Sequence, residues 1–238
     1  MANALCDFKM LEPEDRILVA VSGGKDSLTL LRLLLDRKRQ TPFPYEVMAV
    51  YVDSNYQCGS LIEGETVEEL LKKWEVPLEI VPLSIAMEFD PEKMGASCFW
   101  CSWNRRKVFF EVARKLNCTK IALGHHKDDL VQTTLMNLFY QGKFSTMLPA
   151  QTYFQGEMQM IRPLCYMDEA DILQFAIDSH FPKQACTCPV GQASNRAKIK
   201  NLLKLLTEEN AFVKSNIFQA IMRQLQPSDN ETVPTIAD

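Results

Sequence analysis

The strongest constraint on the fold is an alternation of strand and helix patterns through the first 142 residues. The β-branched apolar run 16–22 predicts a buried strand, and the leucines of 26–39 recur at helical spacing. The alternation continues with predicted strands at 45–53, 77–83 and 119–125 and predicted helices at 65–76, 103–117 and 127–142. Because such alternation builds βαβ units, we expect an α/β fold with a doubly wound, mostly parallel sheet.

The rest of the chain predicts a different organisation. The expected elements are a loop with one short strand (143–164), a helix (168–180), a loop holding two cysteines (181–191) and two helices (194–208 and 210–225). We therefore expect an α/β domain over 1–165, a small C-terminal helical region over 166–226 and a polar, disordered tail over 227–238.

Composition narrows the class of protein. The 238 residues are 47% hydrophobic, as expected of a chain that buries a core, and carry a net charge of −4. We find neither a signal-peptide pattern nor an apolar run long enough to span a bilayer, which predicts a cytoplasmic protein without membrane contact. In that compartment the eight cysteines are expected to bind metal, act in catalysis or lie buried rather than form disulfides.

The string SGGKDS, residues 22–27, stands where the first strand meets the first long helix. Gly23 and Gly24 allow a tight turn and close approach to a ligand, and the helix that follows offers free N–H groups and a positive dipole end. The side chains of Ser22, Lys25 and Ser27 add polar donors. Asp26 is not needed by a simple anion cradle, but it suits a triphosphate that carries Mg²⁺.

Two further polar sites are predicted at the same edge of the sheet. Asp53 ends the second strand, and GHHKDD (124–129) ends the strand at 119–125 and opens a helix. Because ligands of open α/β sheets bind at the carboxyl ends of strands, Asp53, Gly124 and His125 are candidate nucleotide contacts. Asp129 is a candidate magnesium ligand, although helix capping explains one residue of the Asp-Asp pair about as well.

Four cysteines fall into two close pairs. Cys98 and Cys101 form a C-x-x-C, and Cys186 and Cys188 form a C-x-C. The position of the first pair in the sheet is wrong for a thioredoxin-like dithiol. Thiolates in this number suit either a structural zinc or an iron–sulfur cluster with three cysteine ligands, and spacing does not separate the two. The remaining cysteines are expected to be buried or incidental: Cys6, Cys58, Cys118 and Cys165.

SGGKDS resembles the PP-loop of adenine-nucleotide α-hydrolases, which cleave ATP between its α- and β-phosphates. The series SGGKDS, C-x-x-C followed by RR, GHHKDD, IRPLCY and FPKQACTCPVGQ is similar, in the same order, to the tRNA 2-thiocytidine synthetase family. In that family the corresponding strings read SGGKDS, CSLCSRLRRG, GHHRDD, IRPLAY and FPIIPCNLCGSQ. The resemblance covers roughly residues 12–228.

The resemblance implies an ATP- and Mg²⁺-dependent sulfurtransferase with a [4Fe–4S] cluster. Members adenylate C2 of cytidine 32 in tRNA and replace its oxygen with sulfur. Carried onto this sequence, ATP contacts Ser22–Ser27, and the catalytic residues are Lys25, Asp26 and Asp129, of which the two aspartates hold magnesium. Cys98, Cys101 and Cys186 hold the cluster; Cys188 is a rival for the third ligand because the family's second cysteine is shifted here by one position.

The resemblance also implies partners: tRNA, a sulfur donor such as a cysteine desulfurase, and a second copy of the chain in a homodimer. Arg105, Arg106 and Lys107 are candidate phosphate contacts, while Trp100 and Trp103 would stack on a base, shield a cluster or pack in the core. The alternatives are a ligase of the lysidine or GMP synthetase type, a sulfur-inserting enzyme for a small molecule, and a zinc-stabilised nucleotide-binding protein.

Overall fold

The computed structural model describes residues 1–54, 58–83, 94–186 and 194–225. For residues 54, 58–63, 94–99 and 184–186 it describes the backbone alone. The tail that the sequence predicts to be disordered, 227–238, lies outside the described residues, as does Cys188.

A six-stranded sheet forms the centre of the fold. The strands are β1 (Arg16–Val21), β2 (Glu46–Ser54), β4 (Leu78–Leu83), β5 (Lys120–Ala122), β6 (Ala150–Tyr153) and β7 (Met158–Ile161), and β3 (Cys58–Glu63) and β8 (Lys183–Cys186) pair separately. The spatial order in the sheet is β4-β2-β1-β5-β7-β6. Every pairing in the sheet is parallel except that of β6 with β7, which confirms the predicted mostly parallel α/β architecture.

Helices precede, connect and follow the strands of the sheet. They are α1 (Ala2–Asp7), α2 (Lys25–Lys38), α3 (Val67–Lys73), α4 (Met94–Lys115), α5 (Lys127–Gln141), α6 (Glu169–Asp178), α7 (Asn195–Glu209) and α8 (Val213–Leu225). The α3 helix starts with a capping box, in which Thr66 and Glu69 each satisfy the other's backbone N–H group. The strand order reverses direction at β1, so the β1–α2 loop emerges at a topological switch point, where α/β sheets bind ligands.

The central strand is buried on both of its faces. Ile17, Leu18 and Val19 of β1 have no exposed surface, because helices lie against both sides of the sheet. On one side Leu18 and Ile121 share a core with Val112 of α4. Helix α2 also lies against β1 and has α6 as a neighbour. The sheet therefore fixes the start of α2 relative to the carboxyl ends of β1 and β5.

Contacts divide the chain into two compact units. The first comprises Met1–Lys127 and Pro149–Ser194 and contains the sheet. The second comprises Asp128–Leu148 and the chain from Asn195 onward, and in it α5, α7 and α8 bury a core of Val131, Leu135, Ile199, Leu203 and Ile221. The expected domain boundary at residue 165 stays a prediction. Within the described ranges, no helix combines the length and apolarity needed to cross a bilayer.

The structure departs from the sequence predictions in the cysteine-bearing segments. Helix α4 starts at Met94, nine residues before the predicted start at 103, so Cys98 and Cys101 lie on a helix rather than in a loop. The predicted loop 181–191 contains β8, which pairs in antiparallel fashion with the unpredicted strand β3. The single short strand expected within 143–164 is a hairpin of two strands, β6 and β7.

We expect that truncating Ile121, which is fully buried at the centre of the sheet, will lower the free energy of unfolding. Removing its side chain leaves a cavity between β5 and α4, and such losses cost about 2–5 kcal/mol. Ile177→Ala is the matched control, since that isoleucine is 59% exposed on α6. Urea denaturation measures both variants. Equal destabilisation by the two substitutions would contradict this description of the core.

Candidate functional site

The loop between β1 and α2 is held in a curled shape by its own serines. The backbone N–H of Ser22 donates to Oγ of Ser27 at 3.1 Å, and that hydroxyl donates to the carbonyl of Gly24 at 3.0 Å. Gly23 has φ of +82°, a conformation that glycine adopts without strain. Residues 22–24 therefore form a tight turn, and the rest of the SGGKDS string, 25–27, is the first turn of α2.

The first turn of α2 presents the features of an anion site. Gly24 is the N-cap residue, in an extended conformation, and it has no side chain that could accept from the first-turn N–H groups. The helix is 14 residues long, so its dipole gives the N-terminus a partial positive charge. Backbone N–H groups and a positive dipole end together bind phosphate groups in many α/β proteins.

Lys25 lies between two carboxylates at the start of this helix. Its ammonium nitrogen is 2.7 Å from Oδ1 of Asp26 and 3.3 Å from Oε1 of Glu169, the first residue of α6. Burial lowers the pKa of Lys25, but the hydrogen bonds and charges of Asp26 and Glu169 outweigh it and raise that pKa above the ordinary 10.5. Lys25 is therefore a cation at neutral pH, positioned by a residue 144 positions away.

The turn after β5 packs directly against this site. A Cβ atom added to Gly124 would stand 3.0 Å from the backbone carbon of Asp26 and from the backbone nitrogen of Ser27. In the same turn His126 is buried, and its Nε2 lies 3.7 Å from Oδ1 of Asp26. The predicted contact His125 is half-buried next to it. The turn that the sequence predicts as part of the site thus lies against the β1–α2 loop, and His126 is the histidine with a measured approach to Asp26.

A pocket of about 370 Å³, counted with its open mouth, adjoins the loop at the carboxyl ends of β1 and β2. Its lining comprises Ala20, Val21, Ser22, Tyr51, Val52, Arg105 and Phe109. Burial raises the pKa of Tyr51, the charge of Asp53 raises it further, and Arg105 opposes both. Asp53 and Arg105 are therefore within electrostatic reach of the same phenol. This apolar and cationic pocket next to an anion site suits the base, sugar and phosphates of a nucleotide.

Asp128 and Asp129 belong to the second unit, where each meets a cation. Nζ of Lys214 lies 2.8 Å from Oδ1 of Asp128, and Nη1 of Arg196 lies 2.7 Å from Oδ1 of Asp129. The predicted shared magnesium role of Asp26 and Asp129 stays a prediction. Arg196, near the start of α7, is thus the ion-pair partner of Asp129.

The cysteine positions are set by two backbone elements. Cys98 and Cys101 are three apart on α4, and residues at that spacing share a helix face. Cys186 ends β8, where its register partner in β3 is Cys58, a residue to which the sequence assigns no role. Cys101 is half-buried and forms no disulfide. Among the side chains that are described, no three His, Cys, Asp or Glu converge as a metal site.

The chain is similar in sequence to known proteins over most of its length. A model of the PP-loop domain matches residues 2–182. A tRNA-cytidine(32) 2-sulfurtransferase of Geotalea uraniireducens is 37% identical over 225 residues, which cover 93% of this chain and 88% of that protein. The enzyme of the same name from Geobacter sulfurreducens is also 37% identical, with 93% and 86% covered. The chain belongs to the tRNA-cytidine(32) 2-sulfurtransferase family.

A solved structure shares the fold. The U34-tRNA thiolase NcsA from Methanococcus maripaludis, determined with its [4Fe–4S] cluster, superposes with a TM-score of 0.69. The superposition covers 94% of this chain and 76% of that one, at 22% sequence identity. This likeness confirms the PP-loop architecture that the alternation of strands and helices predicts.

We expect Gly124→Ala to disturb the phosphate loop, because the added methyl group would meet backbone atoms of Asp26 and Ser27 that cannot move independently. Thermal stability should fall, and ATP affinity should fall at least tenfold. Gly24→Ala is the steric comparison, since its Cβ would meet only Oγ of Ser22, at 3.5 Å, with φ of −70°. If Gly124→Ala is as stable as Gly24→Ala, the close approach is not a constraint.

Glu169→Gln tests the ion pair across the site. Removing that carboxylate should lower the pKa of Lys25, which a pH titration of the lysine by carbon NMR would measure. A lysine whose folded pKa is raised stabilises the fold fully below its unfolded pKa, and the contribution is lost as pH rises through the folded pKa. The stability gap between the wild type and Glu169→Gln should therefore be constant near neutral pH and shrink above about pH 10.5. A gap that shrinks already near pH 7 would contradict this assignment.

Proposed function

We propose that this chain is an ATP-dependent sulfurtransferase that adenylates C2 of a cytidine in tRNA, at position 32, and replaces the oxygen with sulfur. The observation that carries the proposal is a folded PP-loop beside a pocket at the carboxyl ends of β1 and β2, in a chain aligned along 93% of its length with tRNA-cytidine(32) 2-sulfurtransferases. ATP is the first substrate, bound at Ser22–Ser27 with its base towards the pocket.

The first chemical step forms one bond and breaks another. The C2 oxygen of the cytidine attacks the α-phosphorus of ATP, and the bond from that phosphorus to the bridging oxygen of the β-phosphate breaks. Pyrophosphate leaves with the negative charge, which Lys25 and the first-turn N–H groups of α2 stabilise. Asp26 and Glu169 hold the ammonium group of Lys25 at the start of α2, next to where that charge develops.

Magnesium has a suitable ligand in this arrangement. Asp26 projects from the first turn of α2, beside the cation that would meet the phosphates. Carboxylate oxygens are the ligands that Mg²⁺ prefers when it bridges phosphate groups. Bound there, magnesium would neutralise phosphate charge and hold the triphosphate in one geometry. Asp129 is the second proposed ligand.

The second step exchanges AMP for sulfur. A sulfur nucleophile attacks C2, the C2–oxygen bond breaks and AMP leaves with the former carbonyl oxygen. Cys98, Cys101 and Cys186 are the proposed cluster ligands, with Cys188 as the rival third residue, and all are thiols, the donors that iron–sulfur clusters use. A [4Fe–4S] cluster held by three of them would supply an iron that carries sulfur. The first two share one face of α4, which suits chelation of one group.

The proposal also includes the binding partners of the protein and its location in the cell. The sulfur donor would be a protein such as a cysteine desulfurase, the active form would be a homodimer, and the reaction would take place in the cytoplasm. Arg106 and Lys107, both exposed, are proposed phosphate contacts for the tRNA. Arg105 lines the nucleotide pocket, which favours a role for it with ATP.

The test is a pair of assays on anaerobically prepared protein. Wild-type enzyme with ATP, Mg²⁺, a sulfide source and tRNA should yield 2-thiocytidine and release pyrophosphate. We expect Lys25→Ala to lose both activities, because it removes the cation at the phosphates. Cys101→Ala should lose thiolation and retain ATP binding, since Cys101 is spaced one helical turn from Arg105 but does not line the pocket.

Iron, sulfide and zinc content identifies the thiol ligands in the same preparations. About four irons and four sulfides per chain are expected, lost in Cys98→Ala and in one of Cys186→Ala and Cys188→Ala. Cys58→Ala belongs in the series because of its register with Cys186, and Cys6→Ala, on exposed α1, is the matched control. Zinc without sulfide would contradict the sulfurtransferase proposal and favour a structural metal.

A further inference from the structure

Two tryptophans stand exposed on α4 beside the candidate site. Trp100 is 52% exposed and Trp103 is 46% exposed. Their ring centroids are 5.7 Å apart and their planes meet at 81°, an edge-to-face arrangement. The third tryptophan of the chain, Trp74, packs instead against Phe181 and Arg32. Large indoles gain most from burial, so two adjacent exposed ones mark a surface that contacts another molecule.

The residues of α4 fall on two sides of the helix, one facing the pocket and the core and the other facing solvent. Arg105, Val108 and Phe109 point inward, where Phe109 and Arg105 line the nucleotide pocket and Val108 is buried in the core. Trp100, Trp103 and Lys107 follow one another at spacings of three and four residues, so they form one stripe on the helix surface. We call these three residues, together with the exposed Arg106, the tryptophan stripe.

We propose that the tryptophan stripe binds an unpaired stretch of the RNA substrate, with a nucleobase stacked on Trp103 and neighbouring phosphates held by Arg106 and Lys107. This inference rests on the proposed function and names the element that recognises its substrate. Single-stranded RNA is bound by aromatic faces that stack on bases and by cations that meet the backbone. The stripe offers both kinds of group within two helical turns.

The position of the stripe favours RNA over other occupants. Trp103 is two residues from Arg105, about 3 Å along the axis, but it lies on the opposite side of α4 from the pocket lining. A flexible unpaired strand held at Trp103 would therefore pass around the helix for another of its nucleotides to reach the pocket. Arg106 and Lys107 place two exposed cations next to the indoles in a chain whose net charge is −4. Lys107 also lies 3.8 Å from the exposed Glu111, a weak surface ion pair with which RNA phosphates would compete.

Packing in the core and shielding of a cluster explain the exposed positions of Trp100 and Trp103 less well than RNA binding does. A core residue would be buried, whereas about half of each indole is in contact with solvent. Cys101 and Arg105 are four apart and share the inward side of α4, while the stripe runs along the outward side.

The experiment measures affinity for a stem–loop RNA that carries the cytidine in an unpaired loop, with a fully paired duplex of equal length as the comparison. Trp103→Ala should weaken binding to the stem–loop by roughly five- to hundredfold, the loss expected for one stacked base. Trp103→Phe should restore most of it, because a phenyl ring still stacks. Trp74→Phe, at the half-buried tryptophan that packs against Phe181, is the matched control and should bind like the wild type.

The salt dependence of RNA affinity distinguishes the contribution of base stacking from that of charge. Trp103→Ala should leave the slope of log affinity against log salt unchanged, while Lys107→Ala should reduce it by about one. Intrinsic fluorescence of a Trp74→Phe, Trp100→Phe double variant, in which Trp103 is the remaining tryptophan, should be quenched by the stem–loop. ATP affinity of Trp103→Ala should equal that of the wild type.

Each alternative to RNA binding by the tryptophan stripe predicts a different experimental result. If wild-type protein neither binds nor thiolates tRNA, the proposed function fails together with this inference. If it does both and Trp103→Ala binds the stem–loop as tightly as the wild type, the function stands and the inference is overturned. If Trp103→Ala changes sedimentation from dimer to monomer without weakening RNA binding, the stripe is an interface between copies of the chain, which also overturns it.

Discussion

The geometry of the candidate site is fixed by close packing between two backbone segments, the turn after β5 and the first turn of α2. The turn that follows β5 approaches the first turn of α2 so closely that Gly124 has no room for a methyl group. Both turns are held by the buried pairing of β1 with β5, so their separation is set by the sheet rather than by side chains. His126 is buried beside Asp26 because of this approach, and the phosphate loop keeps its curled shape against it.

Charge in the site is balanced before any nucleotide arrives. Lys25 contacts two carboxylates, one on its own helix and one at the start of α6. A triphosphate would compete with Asp26 and Glu169 for that ammonium group, and a divalent cation would relieve the resulting repulsion at Asp26. Through this ion pair Lys25 links the first turn of α2 to the first residue of α6.

Part of the fold and of the candidate site could be predicted from the sequence, because local residue patterns carry enough information to identify these elements. The apolar runs of β1, β2 and β4 and the leucines of α2 predict the parallel sheet, and SGGKDS predicts the loop. Elements that depend on distant partners could not be predicted. β3 and β8 are short and become strands by pairing with each other, and α4 extends past a glycine that suggested a loop. Glu169 reads locally as an acidic helix start, and nothing in its neighbourhood indicates Lys25.

The pairing of β3 with β8 has a consequence for the order of synthesis. Cys58 leaves the ribosome early, whereas Cys186 and the rest of β8 follow only after the whole sheet has been translated. Pairings between segments so far apart in the chain form late, because loop closure costs entropy that local contacts do not. A group bound at Cys186 could thus be loaded only onto a nearly complete chain.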